Sequence, residues 1–72
     1  MNDKERIGTE IASLRTKRHM SIRKLAEESG IHFSNLSKIE KGKISAGIDT
    51  LCKIADALGA KIKIQENNDF LQ

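Results

Sequence analysis

Three glycines divide this chain, and each stands where an apolar pattern of helical period stops. Gly30, Gly42 and Gly59 follow segments whose apolar residues recur every three or four positions. A glycine just past a helix end supplies the left-handed backbone that a C-terminal cap requires. A chain of 72 residues cut at these points is confined to short helices joined by tight turns. The second such helix starts after Ser21, a good N-cap, and carries Ile22, Leu25, Ala26 and Ser29 on one side before Gly30. The third runs from Phe33 to Lys41, with Leu36 and Ile39 facing inward and Gly42 ending it. A loop over 43–47 follows, where Ser45 is a candidate cap. Ile48, Leu51, Ile54, Ala55 and Leu58 then trace the stripe of a fourth helix that closes at Gly59.

Ahead of these, Ile7, Ile11, Leu14 and Arg18 predict an amphipathic helix over 3–18. Asn2 or Asp3 can cap it, and Arg15, Lys17 and Arg18 suit the negative end of its dipole. Gly8 inside it costs ~1 kcal/mol of helix propensity, which marks a close helix contact.

The period changes after Gly59. Ala60, Ile62 and Ile64 alternate with Lys61, Lys63 and Gln65, the two-residue period of a half-buried strand. No other segment reads as a strand, so its backbone groups need a partner from outside. The same strand of a second copy is the simplest source, paired antiparallel about a two-fold axis through Ile62 and Ile64. The tail, 66–72, is polar and reads as flexible, with Phe70 and Leu71 available to pack on a partner. The expected architecture is all-α: a four-helix domain over 1–59, a dimerising strand over 60–65 and the tail. At this length a chain buries little more than ~60% of its unfolded surface, and oligomerisation is a common remedy.

Charge is distributed unevenly. The net charge is +3, but residues 15–43 hold eight bases against three acids, while the remainder is net −2. A basic middle is the footprint of a phosphate-binding surface, or simply of solvated helix faces. The single cysteine, Cys52, lies on the fourth helix's stripe and reads as a core residue. The opening residues lead into no apolar run, and no segment approaches the ~18 residues of a membrane span. A cytoplasmic protein with no membrane association is expected. His19 and His32 are not spaced as a metal site, and no Ser/His/Asp or paired-carboxylate set stands out. No enzyme activity, metal or cofactor is expected.

Two short helices joined at Gly30 match the geometry in which a second helix enters the major groove while the first crosses the backbone. Ala26 is small where it faces the second helix, and Leu25, Ile31, Leu36 and Ile39 form the core that sets the crossing angle. The text from Ser21 to Ile31 (Ser-Ile-Arg-Lys-Leu-Ala-Glu-Glu-Ser-Gly-Ile) carries the resemblance to a known family. So do Leu36 to Lys43 (Leu-Ser-Lys-Ile-Glu-Lys-Gly-Lys) and Leu51 to Gly59 (Leu-Cys-Lys-Ile-Ala-Asp-Ala-Leu-Gly). Over residues 7–59 the chain closely resembles the Cro/C1-type (XRE) helix-turn-helix family, with the motif at 22–41.

The resemblance implies a sequence-specific DNA-binding transcriptional regulator, a homodimeric repressor acting on an inverted repeat. Phe33, Ser34, Ser37 and Lys38 match positions that face base edges. Ile22 and Lys41 match positions whose backbone amides meet phosphates. Lys43 matches a frequent phosphate contact, and Arg15 and Glu40 match an internal salt bridge. Arg23 and Asn35 are candidate phosphate contacts, because helical spacing turns Asn35 aside from the bases. Lys38 can donate to guanine, and Phe33 can pack on a thymine methyl or cover the corner between helices 2 and 3. The chain departs from the family at Ile22, where glutamine is usual, and at His32, where a serine or threonine cap is usual. It departs again at Ala46-Gly47, where a proline is usual. A strand in place of a fifth helix looks more like the HipB-type antitoxins, which makes a toxin protein the alternative partner.

Overall fold

Helix ends in this chain are set by residues that satisfy backbone groups the helices leave open. The computed structural model describes residues 1–67, in which four helices follow one another: α1 (Asp3–Lys17), α2 (Ile22–Ser29), α3 (Phe33–Glu40) and α4 (Ile48–Ala57). Asn2 caps α1 in a reciprocal box: its side chain accepts the Glu5 N–H at 2.9 Å, and the Glu5 carboxylate accepts the Asn2 N–H at 3.1 Å. Ser21 caps α2 by accepting the Lys24 N–H. α3 and α4 end alike. Lys43 N–H donates to the Lys38 carbonyl and Gly42 N–H to Ile39; Ala60 N–H donates to Ala55 and Gly59 N–H to Asp56. Gly42 and Gly59 hold the left-handed conformation that this double closure needs. α1 closes the same way, Met20 N–H to Arg15 and His19 N–H to Thr16, but its left-handed residue is His19, at φ 56°.

The core is built from Ile11, Leu25, Leu36, Ile39, Ile54 and Leu58. Leu25, Leu36 and Ile54, from three different helices, are fully buried at its centre. α1 packs on α3, and α2 packs on both α3 and α4. Ile31 and Ala26 border this core, which holds α2 and α3 at a fixed angle across Gly30. A Cβ at Gly8 would overlap the carbonyl oxygens of Ile39 and Glu40. The glycine is what lets α1 lie directly on the end of α3.

Several expectations are corrected. α4 begins at Ile48, and its N-cap is Gly47 with no side-chain hydrogen bond, so Ser45 stays in the loop. Ile48, at the first turn, is 67% exposed and leaves the apolar stripe to Leu51, Ile54, Ala55 and Leu58. Cys52 is half-buried and is not a member of the core cluster. The strand expected over 60–65 depends on pairing with a second copy, so the single chain leaves it open; among the described residues there is no strand. Phe70 and Leu71 lie outside the described residues.

Two substitutions are expected to act in opposite senses. Gly8→Ala improves helix propensity yet forces α1 off α3, so it should destabilise by about 1–3 kcal/mol. His19→Gly removes a side chain from a left-handed position and should stabilise by about 0.5–1 kcal/mol. Urea unfolding of the two variants beside the parent chain checks both signs.

Candidate nucleic-acid interface

The placement of α3 rests on Arg15. Its Nε donates to Glu40 Oε2 at 2.8 Å and its Nη2 to Glu40 Oε1 at 3.1 Å, a two-pronged pair between α1 and α3. Its Nη1 donates to the Met20 carbonyl at 2.9 Å, which adds the turn before α2 to the same clamp. The Glu40 side chain is only 7% exposed, so the one acid of α3 is turned inward and away from the helix's outer face. The hydrogen bonds that Arg15 donates to Glu40 raise the Arg15 pKa above its already high ordinary value. A cation whose folded pKa is raised contributes fully below its unfolded value and loses that contribution only as pH rises beyond it. The Arg15 end of the clamp is therefore constant across the neutral range.

With Leu36 and Ile39 buried, α3 shows solvent Phe33, Ser34, Asn35 and Lys38, with Ser37 half-buried beside them and Lys41 and Lys43 exposed just beyond. Asn35 borders a shallow cleft shared with Ile44 and Ser45 of the following loop, to one side of Ser34 and Lys38. His32 caps α3: its Nδ1 accepts the Ser34 N–H at 3.3 Å and lies 2.9 Å from Ser34 Oγ. The Ser34 hydroxyl is thus oriented before any ligand arrives.

α2 adds its N-terminus and two cations. The Ser21 cap takes the Lys24 amide, which leaves the Ile22 and Arg23 amides at the open end of the helix. The partly buried Ile22 side chain packs against the core, which leaves its backbone amide as the polar group this residue offers at the helix start. The Lys24 ammonium is held by Glu28 at 3.0 Å, and that hydrogen bond raises its pKa. Arg23 instead lies over the Phe33 ring, 4.6 Å from its centroid. That contact joins the starts of α2 and α3. Residues ten apart on two helices carry no sequence signal for it. Among the described residues the ion pairs engage Arg6, Arg15 and Lys24, so Arg23, Lys38, Lys41 and Lys43 keep uncompensated charge.

One backbone role changes. The Lys41 amide donates to the Ser37 carbonyl at 3.2 Å, because it closes the end of α3. It is not free for phosphate, and Lys41 can offer only its ammonium. No group of three His, Cys, Asp or Glu among the described residues is placed to hold a metal ion. No helix among them is long and apolar enough to cross a membrane.

The Arg15–Glu40 clamp yields a stability expectation. Glu40→Gln keeps the shape and removes the charge that neutralises a mostly buried guanidinium, at a cost of about 2 kcal/mol. Thermal and urea unfolding at neutral pH measure it.

Comparison with known proteins agrees with this geometry. The helix-turn-helix family model HTH_3 matches residues 11–64. An uncharacterized HTH-type transcriptional regulator of Mycobacterium tuberculosis, found in two strains, is 40% identical over 57 residues. That match covers 79% of this chain and 41% of the relative, so the chain spans about two fifths of the length of the curated relatives it matches. The crystal structure of the clp gene regulator ClgR from Corynebacterium glutamicum superposes with a TM-score of 0.77 at 31% identity, covering 81% of this chain and 62% of that one. An HTH_3 family transcriptional regulator from Vibrio cholerae superposes with a TM-score of 0.77 at 36% identity, covering 81% and 33%. Sequence, fold and outer face of α3 agree, and the chain belongs to the HTH_3 helix-turn-helix family.

Proposed function

We propose that this chain is a sequence-specific DNA-binding unit of a transcriptional regulator, acting in the cytoplasm as a homodimeric repressor on an inverted-repeat operator. The observation that carries this reading is the outer face of α3. Ser34, Lys38 and Lys41 lie there in the open, and the helix's only carboxylate is locked inward on Arg15. In this reading α3 enters the major groove. Phe33, Ser34, Ser37 and Lys38 meet base edges, while the Ile22 amide, Asn35 and the Lys41 and Lys43 ammonium groups meet phosphates. Phosphate contacts supply affinity and base contacts supply sequence choice. The relatives' names are those of transcriptional regulators, which favours this reading over an antitoxin with a toxin partner.

Dimerisation belongs to the same proposal. Ile62 is 49% exposed and Ile64 fully exposed. Ile62 also sits at the rim of an apolar groove between α1 and α4 that includes Ile7, Leu14, Leu51 and Leu58. Pairing of residues 60–65 with a second copy would satisfy their backbone and cover this surface.

Selection from a random-sequence duplex library, followed by equilibrium binding at several salt concentrations, tests the function. A recurrent two-fold site and an affinity that falls steeply with salt are expected. Lys41→Ala and Lys43→Ala should each lower the salt slope by about one per binding unit, whereas Lys38→Ala should relax the sequence preference. Binding indifferent to both sequence and salt would contradict the reading. For the dimer, Ile62→Pro should give a monomer in sedimentation, and an unchanged dimer would refute pairing through this segment.

A further inference from the structure

The contact between Arg23 and Phe33 has a use that the phosphate role expected of Arg23 leaves unexplained. The guanidinium lies 4.6 Å from the ring centroid, and both residues are at the exposed starts of their helices, α2 and α3. Lys24, the next residue, is neutralised by Glu28, while Arg23 has no carboxylate partner among the described residues. A guanidinium resting on an aromatic face keeps its N–H donors around its rim, ready for two acceptors lying side by side. A phosphate also presents two oxygens side by side, but no apolar group next to them. A guanidinium held against an exposed aromatic ring is matched more fully by a target whose two adjacent acceptors neighbour an apolar group.

The major groove offers that combination where a guanine neighbours a thymine. Guanine presents O6 and N7, and thymine presents its C5-methyl group. Adenine replaces one of the acceptors with an N6 amino donor, which opposes arginine, and cytosine has no methyl group. Resting on the DNA-binding reading above, we propose that Arg23 and Phe33 act as one recognition unit. Arg23 donates to guanine O6 and N7, and the Phe33 ring packs on the methyl group of the adjoining thymine. The ring orients the guanidinium before DNA arrives, so less side-chain freedom is lost on binding. Arg23 is then a base-reading residue.

The test uses the full chain and the duplexes enriched by random-library selection. The enriched half-site should contain a guanine next to a thymine. Binding is then compared with duplexes in which that thymine is replaced by deoxyuracil, removing only the methyl group, or that guanine by its N7-deaza analogue, removing only one acceptor. The parent chain should lose roughly tenfold with the deaza analogue and several-fold with deoxyuracil. Arg23→Met keeps the apolar stem and removes every N–H donor, so it should no longer distinguish the deaza analogue and should weaken binding to selected DNA more than to random-sequence DNA. Phe33→Ser removes the apolar surface and should be insensitive to deoxyuracil. The proposal is overturned if the enriched site lacks the adjoining pair, or if Arg23→Met still distinguishes the deaza analogue as the parent does. It also fails if Arg23→Met weakens binding to selected and random DNA equally, which would make Arg23 a phosphate contact. A selection that enriches no sequence at all overturns the regulator reading as well, so the two failures are distinguishable.

Discussion

The two-pronged bond from Arg15 to Glu40 is the contact on which the rest of this small domain depends. One guanidinium holds the end of α3, the carbonyl of Met20 before α2, and its own helix. Three elements are thereby tied together by directed bonds in addition to the small apolar core they share. The bond has a second effect. Glu40 is the only acid on α3, and once paired and turned inward it no longer opposes an anion on the helix's outer face. Gly8 makes the same closeness possible through backbone, since any side chain there would meet the carbonyls at the end of α3.

From that clamp follows the electrostatic contrast between the faces of the molecule. On α3 and the loop beyond it, Lys38, Lys41 and Lys43 have no carboxylate partner among the described residues; on α1, Arg6 is engaged by Asp3 and Glu10. On α2, two neighbouring cations diverge, Lys24 towards Glu28 and Arg23 onto Phe33. The order imposed on the exposed start of α3 is notable for a surface, with His32 orienting Ser34 and Arg23 lying on Phe33. A recognition surface arranged in advance loses less conformational freedom when it binds.

Much of the fold is legible in the residues, and the reasons are local. Gly30, Gly42 and Gly59 mark three helix ends because left-handed backbone strongly favours glycine, and Leu25, Leu36 and Ile54 mark the core through simple period. What escapes depends on geometry that sequence spacing does not encode. His19 takes the left-handed position at the end of α1 with no glycine to announce it. The Lys41 amide is consumed in closing α3, which only the detailed hydrogen-bond pattern reveals. Ser45 looks like a cap but lies short of α4, whose first residue is Ile48. The Arg23–Phe33 contact joins two helices across a turn. The alternation at 60–65 makes no strand among the described residues of a single chain, and pairing with a second copy is proposed to use it.

Amide chemical-shift mapping of the labelled full chain, titrated with a duplex enriched by selection, tests the central claim most directly. If the outer face of α3 is the interface, the largest shifts will fall at Ile22 and Arg23, across Phe33 to Lys38, and at Lys41 to Lys43. The outer turns of α1 and residues 50–56 of α4 will stay nearly unmoved. Shifts concentrated instead along the groove between α1 and α4, with α3 silent, would contradict the account.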